Sequence, residues 1–142
     1  MTKDEIIQLM TNNPAMQLAT VDEQGQPHTR GMMMYSADKD GIIFHTAEHK
    51  DLYRQLKHQP KVEVSFVDMK NFIQIRVRGC AVELDDQALK EKIVNTPGRE
   101  FLKPWVAERG YRMMRVFHIQ SCVADAWTMQ MNFEYPRKEV IF

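Results

Sequence analysis

Residues 41–66, GIIFHTAEHKDLYRQLKHQPKVEVSF, change their hydrophobic period twice. Gly41 supplies a turn, and Ile42, Ile43 and Phe44 then form a short aliphatic-aromatic run that reads as a strand. After His49 the pattern becomes helical: Leu52 and Leu56 stand four residues apart with Tyr53 beside them, and Pro60 ends the segment. Val62, Val64 and Phe66 then alternate with polar residues, the period of a second strand. The stretch is therefore strand, short helix, strand.

Working outward, Thr2 is placed to cap a helix over 2–13 that carries Ile6, Ile7, Leu9 and Met10 and stops at Asn13-Pro14. MQLATV, the turn DEQGQP and HTRGMMMYS read as a hairpin with Gly25 at its tip. FIQIRVRGCAVEL puts Ile73, Ile75 and Val77 on one face and Gln74, Arg76 and Arg78 on the other, with Gly79 as a bend. DDQALKEKIVN and REFLKPWVAERG read as helices, and MMRVFHIQSCVADAW as a last long strand. Antiparallel strands at roughly ten-residue spacing with few helices predict a mainly β, α+β chain, a small barrel or sandwich, forming one domain over 1–142. The strands are not separated by regular helices and no GxGxxG occurs, which argues against a doubly wound α/β fold.

The bulk composition narrows the partners. Nineteen basic and nineteen acidic residues cancel, and no basic cluster interleaves with aromatics, so nucleic acid and anionic membranes are not expected. No segment approaches the ~20 apolar residues of a membrane span, and the acidic, polar beginning does not read as a signal peptide. Cys80 and Cys122 form no CxxC pair and are expected as free thiols in a reducing cytoplasm.

His45 and His49 are four apart, a spacing that serves a metal only when both lie on one helix. His45 belongs to the strand and His49 to the expected helix, so no metal site is predicted. The junction suits an anion better. Thr46 is a candidate cap, and Lys50, placed in the first turn, would meet the positive end of the helix dipole unless an anion lay there.

In their order, RGMMMYSADKDGIIFHTAEHKDLYRQLKHQPKVEVSF and FIQIRVRGCAVEL resemble the pyridoxamine 5'-phosphate oxidase-like family of FMN-binding split β-barrels over roughly residues 15–85. The resemblance implies a homodimer with FMN in clefts between subunits. It maps the flavin-bordering strand onto Arg30, Gly31, Met32 and Met33, the strand end onto His45 and Thr46, and the phosphate-holding residues onto His49 and Lys50. It adds Gln74 from the long strand and Trp127 at the flavin edge. Alternation puts Arg30, Met32 and Met34 on one face of their strand and Gly31, Met33 and Tyr35 on the other.

Departures weigh on the activity. The lysine that vitamin-synthesising members use for the substrate phosphate is Tyr35 here, and their Tyr-Phe-x-Ser-Arg-Pro and C-terminal Arg-x-His segments have no counterpart. The expectation is an FMN-dependent oxidoreductase acting on a small molecule other than the vitamin B6 phosphates. A non-catalytic flavin carrier and a haem or deazaflavin protein on the same scaffold are the competing readings.

Overall fold

Thr2 caps the first helix, α1 (Lys3–Asn12), through a capping box: its hydroxyl accepts from the Glu5 amide at 3.2 Å, and the Glu5 carboxylate accepts from the Thr2 amide at 2.7 Å. The computed structural model describes residues 1–142. After Pro14 the chain forms β1 (Ala15–Val21) and β2 (Pro27–Met33), paired antiparallel. The Asp22 carboxylate holds their turn by accepting from the amides of Gln24 and Gln26, with Gly25 at a φ of +81°.

β3 (Ser36–Asp38) and β4 (Gly41–Ala47) follow, then α2 (Asp51–His58), β5 (Lys61–Asp68) and β6 (Ile73–Leu84). Helices α3 (Gln87–Val94) and α4 (Leu102–Arg109) precede the long β7 (Met114–Trp127), and the short β8 (Glu139–Ile141) pairs back onto β7. The main path of the antiparallel sheet runs β2-β1-β5-β6-β7-β4-β3. Its edges, β2 and β3, are joined in sequence by only Met34 and Tyr35, so the sheet curls into the split barrel that the family resemblance implies. The bend at Gly79 is a register shift between Arg78 and Cys80 against β7. A Cβ there would lie 2.7 Å from the Gln120 carbonyl and from Ile119, so only glycine lets the strands approach.

The larger apolar cluster joins α1 and α2 to the sheet through Leu9, Met10, Leu52 and Leu56, packed with Phe44, Phe66 and Phe117. A smaller one ties α3 and α4 to β7 through Ile93, Val94, Leu102, Met114 and Val116. No helix is long and apolar enough to cross a membrane.

The junction after β4 differs from its sequence reading. Thr46 does not cap α2; it is a residue of β4, paired with Arg115 of β7. The helix starts at Asp51, with Lys50 as an N-cap lacking a side-chain bond and His49 in the preceding turn. The reason is the length of the partner strand. β7 keeps pairing through Ala47, and the Glu48 amide still bonds the Met113 carbonyl, so the backbone is committed to the sheet where a helix would have begun.

Candidate functional site

A cavity of about 940 Å³ opens between β2, β4, the turn after β4 and the α3–α4 segment. That volume is near the upper end of small-molecule pockets, ~300–1,000 Å³. Gly31, Met32 and Met33 form one wall, and Met113, just before β7, and Met114, its first residue, contribute to the lining. Met34 is buried and Met32 packs against the core, while Met33 is half exposed, so the alternation read from the sequence holds and both faces still touch the cavity. β2 is an edge strand, and the backbone groups on its free side have no partner strand.

The cationic residues in the lining are Lys50, Arg99 and Arg109; no Asp or Glu lines it. Neither Lys50 nor Arg99 has a carboxylate partner, whereas Glu48, just outside, is taken up by Arg115 at 2.7 Å and Arg112 at 3.6 Å. Thr46 contributes an orphan. Its hydroxyl is fully enclosed and has no hydrogen-bond partner, although the residue lines the cavity. Buried hydroxyls without partners cost ~1–3 kcal/mol, so an acceptor from a bound molecule would relieve it.

Arg99 reaches in from the loop between α3 and α4. It donates to the Met34 carbonyl at 2.9 Å and to Nε2 of His45 at 3.0 Å, and its guanidinium lies 5.7 Å from the centroid of the Tyr35 ring. Since guanidinium can only donate, Nε2 of His45 is the acceptor and its ring proton sits on Nδ1. Burial, with Arg99 and then Lys50 adding repulsion, pushes the His45 pKa down to about 4, so the ring is neutral near pH 7. The Tyr35 hydroxyl bonds that of Thr96 at 2.9 Å, fastening the same loop.

Seven of the residues singled out in the sequence thus share one cavity: Gly31, Met32, Met33, His45, Thr46, His49 and Lys50. Three do not line it. Arg30, on the same face of β2 as Met32, is taken up by the fold, donating to the Leu18 carbonyl, the Thr20 hydroxyl at 2.6 Å and the Gln55 amide oxygen at 2.7 Å. Gln74 donates to the Ser65 hydroxyl, and Trp127 stands opposite it in the β6–β7 register. Sequence reading passed over Arg99, Tyr35 as its platform, and the aromatic pair Phe101 and Trp105. The available signal was Thr96-Pro97-Gly98-Arg99, a turn between two helices carrying one cation, since loops held by a rigid scaffold are where ligand contacts concentrate.

The model of the pyridoxamine 5'-phosphate oxidase family matches residues 2–126. The chain belongs to that family. A pyridoxine/pyridoxamine 5'-phosphate oxidase of Bradyrhizobium sp. (strain BTAi1) is 27% identical over 127 residues, covering 89% of this chain and 59% of the relative. The chain therefore spans about three-fifths of that relative's length. One from Vibrio atlanticus is 36% identical over a shorter 75 residues, 53% of this chain and 36% of the relative. Among solved structures, a NimC/NimA family protein of Clostridium acetobutylicum superposes with a TM-score of 0.76 at 18% identity, covering 98% of this chain and 92% of that one. A pyridoxamine 5'-phosphate oxidase-related, FMN-binding protein of Nostoc punctiforme superposes at 0.69 and 16% identity, covering 96% and 88%. These likenesses establish the split-barrel fold of the family.

Proposed function

We propose that the chain binds FMN in this cavity and serves a flavin-dependent oxidoreduction of a small molecule other than a vitamin B6 phosphate. The observation that carries the reading is the polar end of the cavity: the unpartnered Thr46 hydroxyl and the unpaired Lys50, with no carboxylate among the lining residues. A phosphate bearing about −1.5 to −2 charges is the complement of such a site. Lys50 stands at the N-cap of α2, and the first-turn amides of that helix begin directly after it.

When bound, FMN supplies hydride and electron transfer, chemistry that needs no acid-base pair from the protein. The residues here hold and orient it. Lys50 and the Thr46 hydroxyl would donate to the phosphate, with His49 available from the same turn as Lys50. The methionine wall of β2 would cover the flat, largely apolar ring, and the free edge of β2 would offer backbone groups to its polar rim. Neutral His45 keeps a donor at Nδ1 without adding a charge.

Gln74 and Trp127 complete the site from a second copy. They pair with each other across β6 and β7 and do not line the cavity of their own chain, as expected of residues that serve a homodimer's other cleft. Tyr35, in place of a lysine, together with the missing substrate segments, supports a substrate other than pyridoxamine phosphate.

The test is the visible spectrum of the protein after incubation with FMN and desalting, with light scattering on the same sample. Flavin bands with quenched fluorescence in a dimer support the reading. A colourless protein ends it, and a monomer that holds FMN stoichiometrically removes Gln74 and Trp127 from the site.

A further inference from the structure

Lys50 has no local device that fixes it. It stands at the N-cap of α2 without a side-chain bond, after a turn closed by its own amide on the Ala47 carbonyl at 3.1 Å. The side-chain contacts that hold this segment come from its two flanks and meet at one residue. Glu48, two positions before Lys50, accepts from Arg115 at 2.7 Å. Tyr53, three positions after it, donates to Glu83 at 2.9 Å, and the other oxygen of Glu83 accepts from the same Arg115 at 3.2 Å. The Arg115 guanidinium also lies 5.0 Å from the centroid of the Tyr53 ring. None of these four residues lines the cavity. The bond from Arg115 holds the Glu48 carboxyl below its usual range, so the grip stays ionised near neutral pH. Arg115 is also the register partner of Thr46, and cross-strand partners project from the same face of a sheet. Each of the two carries an enclosed polar atom without a partner, the Thr46 hydroxyl and Nε of Arg115. Ion pairs open to solvent add little to stability, whereas a guanidinium fork between two elements fixes geometry.

We infer that Arg115 is a positioning residue for the phosphate site: it holds Glu48 on one flank of Lys50 and, with Glu83, Tyr53 on the other, and so sets the turn and the first amides of α2 in place before the anion arrives. The inference rests on the polar end of the cavity being the FMN phosphate site, and it adds to that site a residue that does not touch the ligand. Preorganisation of this kind lowers the ordering cost of binding, so its loss is read in the affinity for the phosphate-bearing ligand. Masking of the Glu48 charge is the competing account, and the two differ in what a second substitution does.

The experiment measures FMN and riboflavin affinities by fluorescence titration for the wild type, Arg115→Gln, Glu48→Gln and the double variant. Each single variant should bind FMN at least about fivefold more weakly, with riboflavin within about twofold of the wild type. The double variant should be no weaker than the worse single one, because the two residues act as one grip. Arg115→Lys should recover part of the loss, since lysine keeps the charge without the fork. Equal losses for both flavins would overturn the inference and leave Arg115 a tie of the fold. So would unchanged FMN affinity in Glu48→Gln, or full recovery in the double variant, since Arg115 would then only mask a charge. Losses that multiply would overturn it as well, because the two residues would then act separately. Should Arg115→Gln not fold, Glu48→Gln and Tyr53→Phe carry the test, with a loss confined to FMN expected and equal losses fatal. Should the wild type take up neither flavin, the cofactor reading falls by itself. The rise in melting temperature that inorganic phosphate gives over chloride at equal ionic strength then decides the role of Arg115. It should be present in the wild type and lost in Glu48→Gln; the same rise in both, or none in the wild type, would overturn the inference.

Discussion

Arg30 and Arg99 are both partly buried arginines without a carboxylate partner, and they do opposite things. Arg30 sits in the seam between β1, β2 and α2, where its donors end on Leu18, Thr20 and Gln55; Thr20 and Gln55 are themselves buried. Arg99 meets two acceptors and turns toward a cavity. The first ties three buried acceptors within the fold, and the second faces open space with donors to spare. What separates them is the count of acceptors around each guanidinium, a quantity set by tertiary packing.

The sharpest way to break this comparison is to remove each arginine in turn. Arg30→Met removes the charged donor shared by the Leu18 carbonyl, the Thr20 hydroxyl and the Gln55 oxygen, leaving the 2.6 Å bond from Thr20 to Gln55, and should cost about 2 kcal/mol of stability in urea unfolding. Arg99→Gln should cost less than ~1 kcal/mol, because its acceptors lie at a cavity where water can replace it. Equal losses would make Arg99 another structural tie.

His45 sharpens the contrast through pH. Its pKa falls from about 6.5 in the unfolded chain to about 4 in the folded one, so the unfolded state binds the extra proton between those values. The stabilisation from keeping the ring neutral is complete above about pH 6.5 and is lost as pH falls toward 4. Allowing for solvent at the open cavity, its size is on the order of 2 kcal/mol. Comparing urea midpoints of the wild type and His45→Asn at pH 7 and 4.5 isolates this contribution from the carboxylates that titrate alongside. The wild type should lose more on acidification, and parallel curves would place His45 in a more solvated setting.

Lys50 tests the other end of the cavity. Lys50→Ala should weaken FMN by about 1.5–2 kcal/mol and leave riboflavin, which lacks the phosphate, nearly unchanged. Arg99→Gln should show neither effect. Fluorescence titration of both flavins against both variants separates the two cations in one set of measurements.

The fold was legible because period and punctuation agree along the chain. Thr2 and the stop at Asn13-Pro14 marked α1, Leu52 and Leu56 marked α2, and Gly79 marked the place where β6 shifts register. The start of α2 was misread because Thr46 satisfies the local capping rule, while β7 holds the backbone in the sheet through Ala47. No property of residues 46–50 reports the length of a strand nearly seventy positions away. Arg99 was missed for the same kind of reason. Its neighbours Met34, Tyr35 and His45 are 54 to 65 residues distant, and only closure of the loop between α3 and α4 brings them together. Residues brought to the cavity by their own strand, such as Gly31 to Met33, could be located from the sequence. Those whose role depends on which element folds over them could not.

The smallest expected effect is the most discriminating, because it has two signs. Thr46→Val keeps the shape of the side chain and removes a hydroxyl that is enclosed and unpartnered in the free protein. Deleting an unsatisfied buried polar group without leaving a hole is neutral or favourable, so the cofactor-free variant should be as stable as the wild type or up to about 1 kcal/mol more stable. If the hydroxyl exists to meet the phosphate, FMN affinity should fall by about 1 kcal/mol in the same variant, and the stabilisation that FMN confers on melting should shrink accordingly. A stability gain with unchanged FMN affinity would mean that Thr46 spends its hydroxyl on nothing the cofactor uses. A stability loss would mean that the hydroxyl has a partner within the free fold, and the polar end of the cavity would then rest on Lys50 alone.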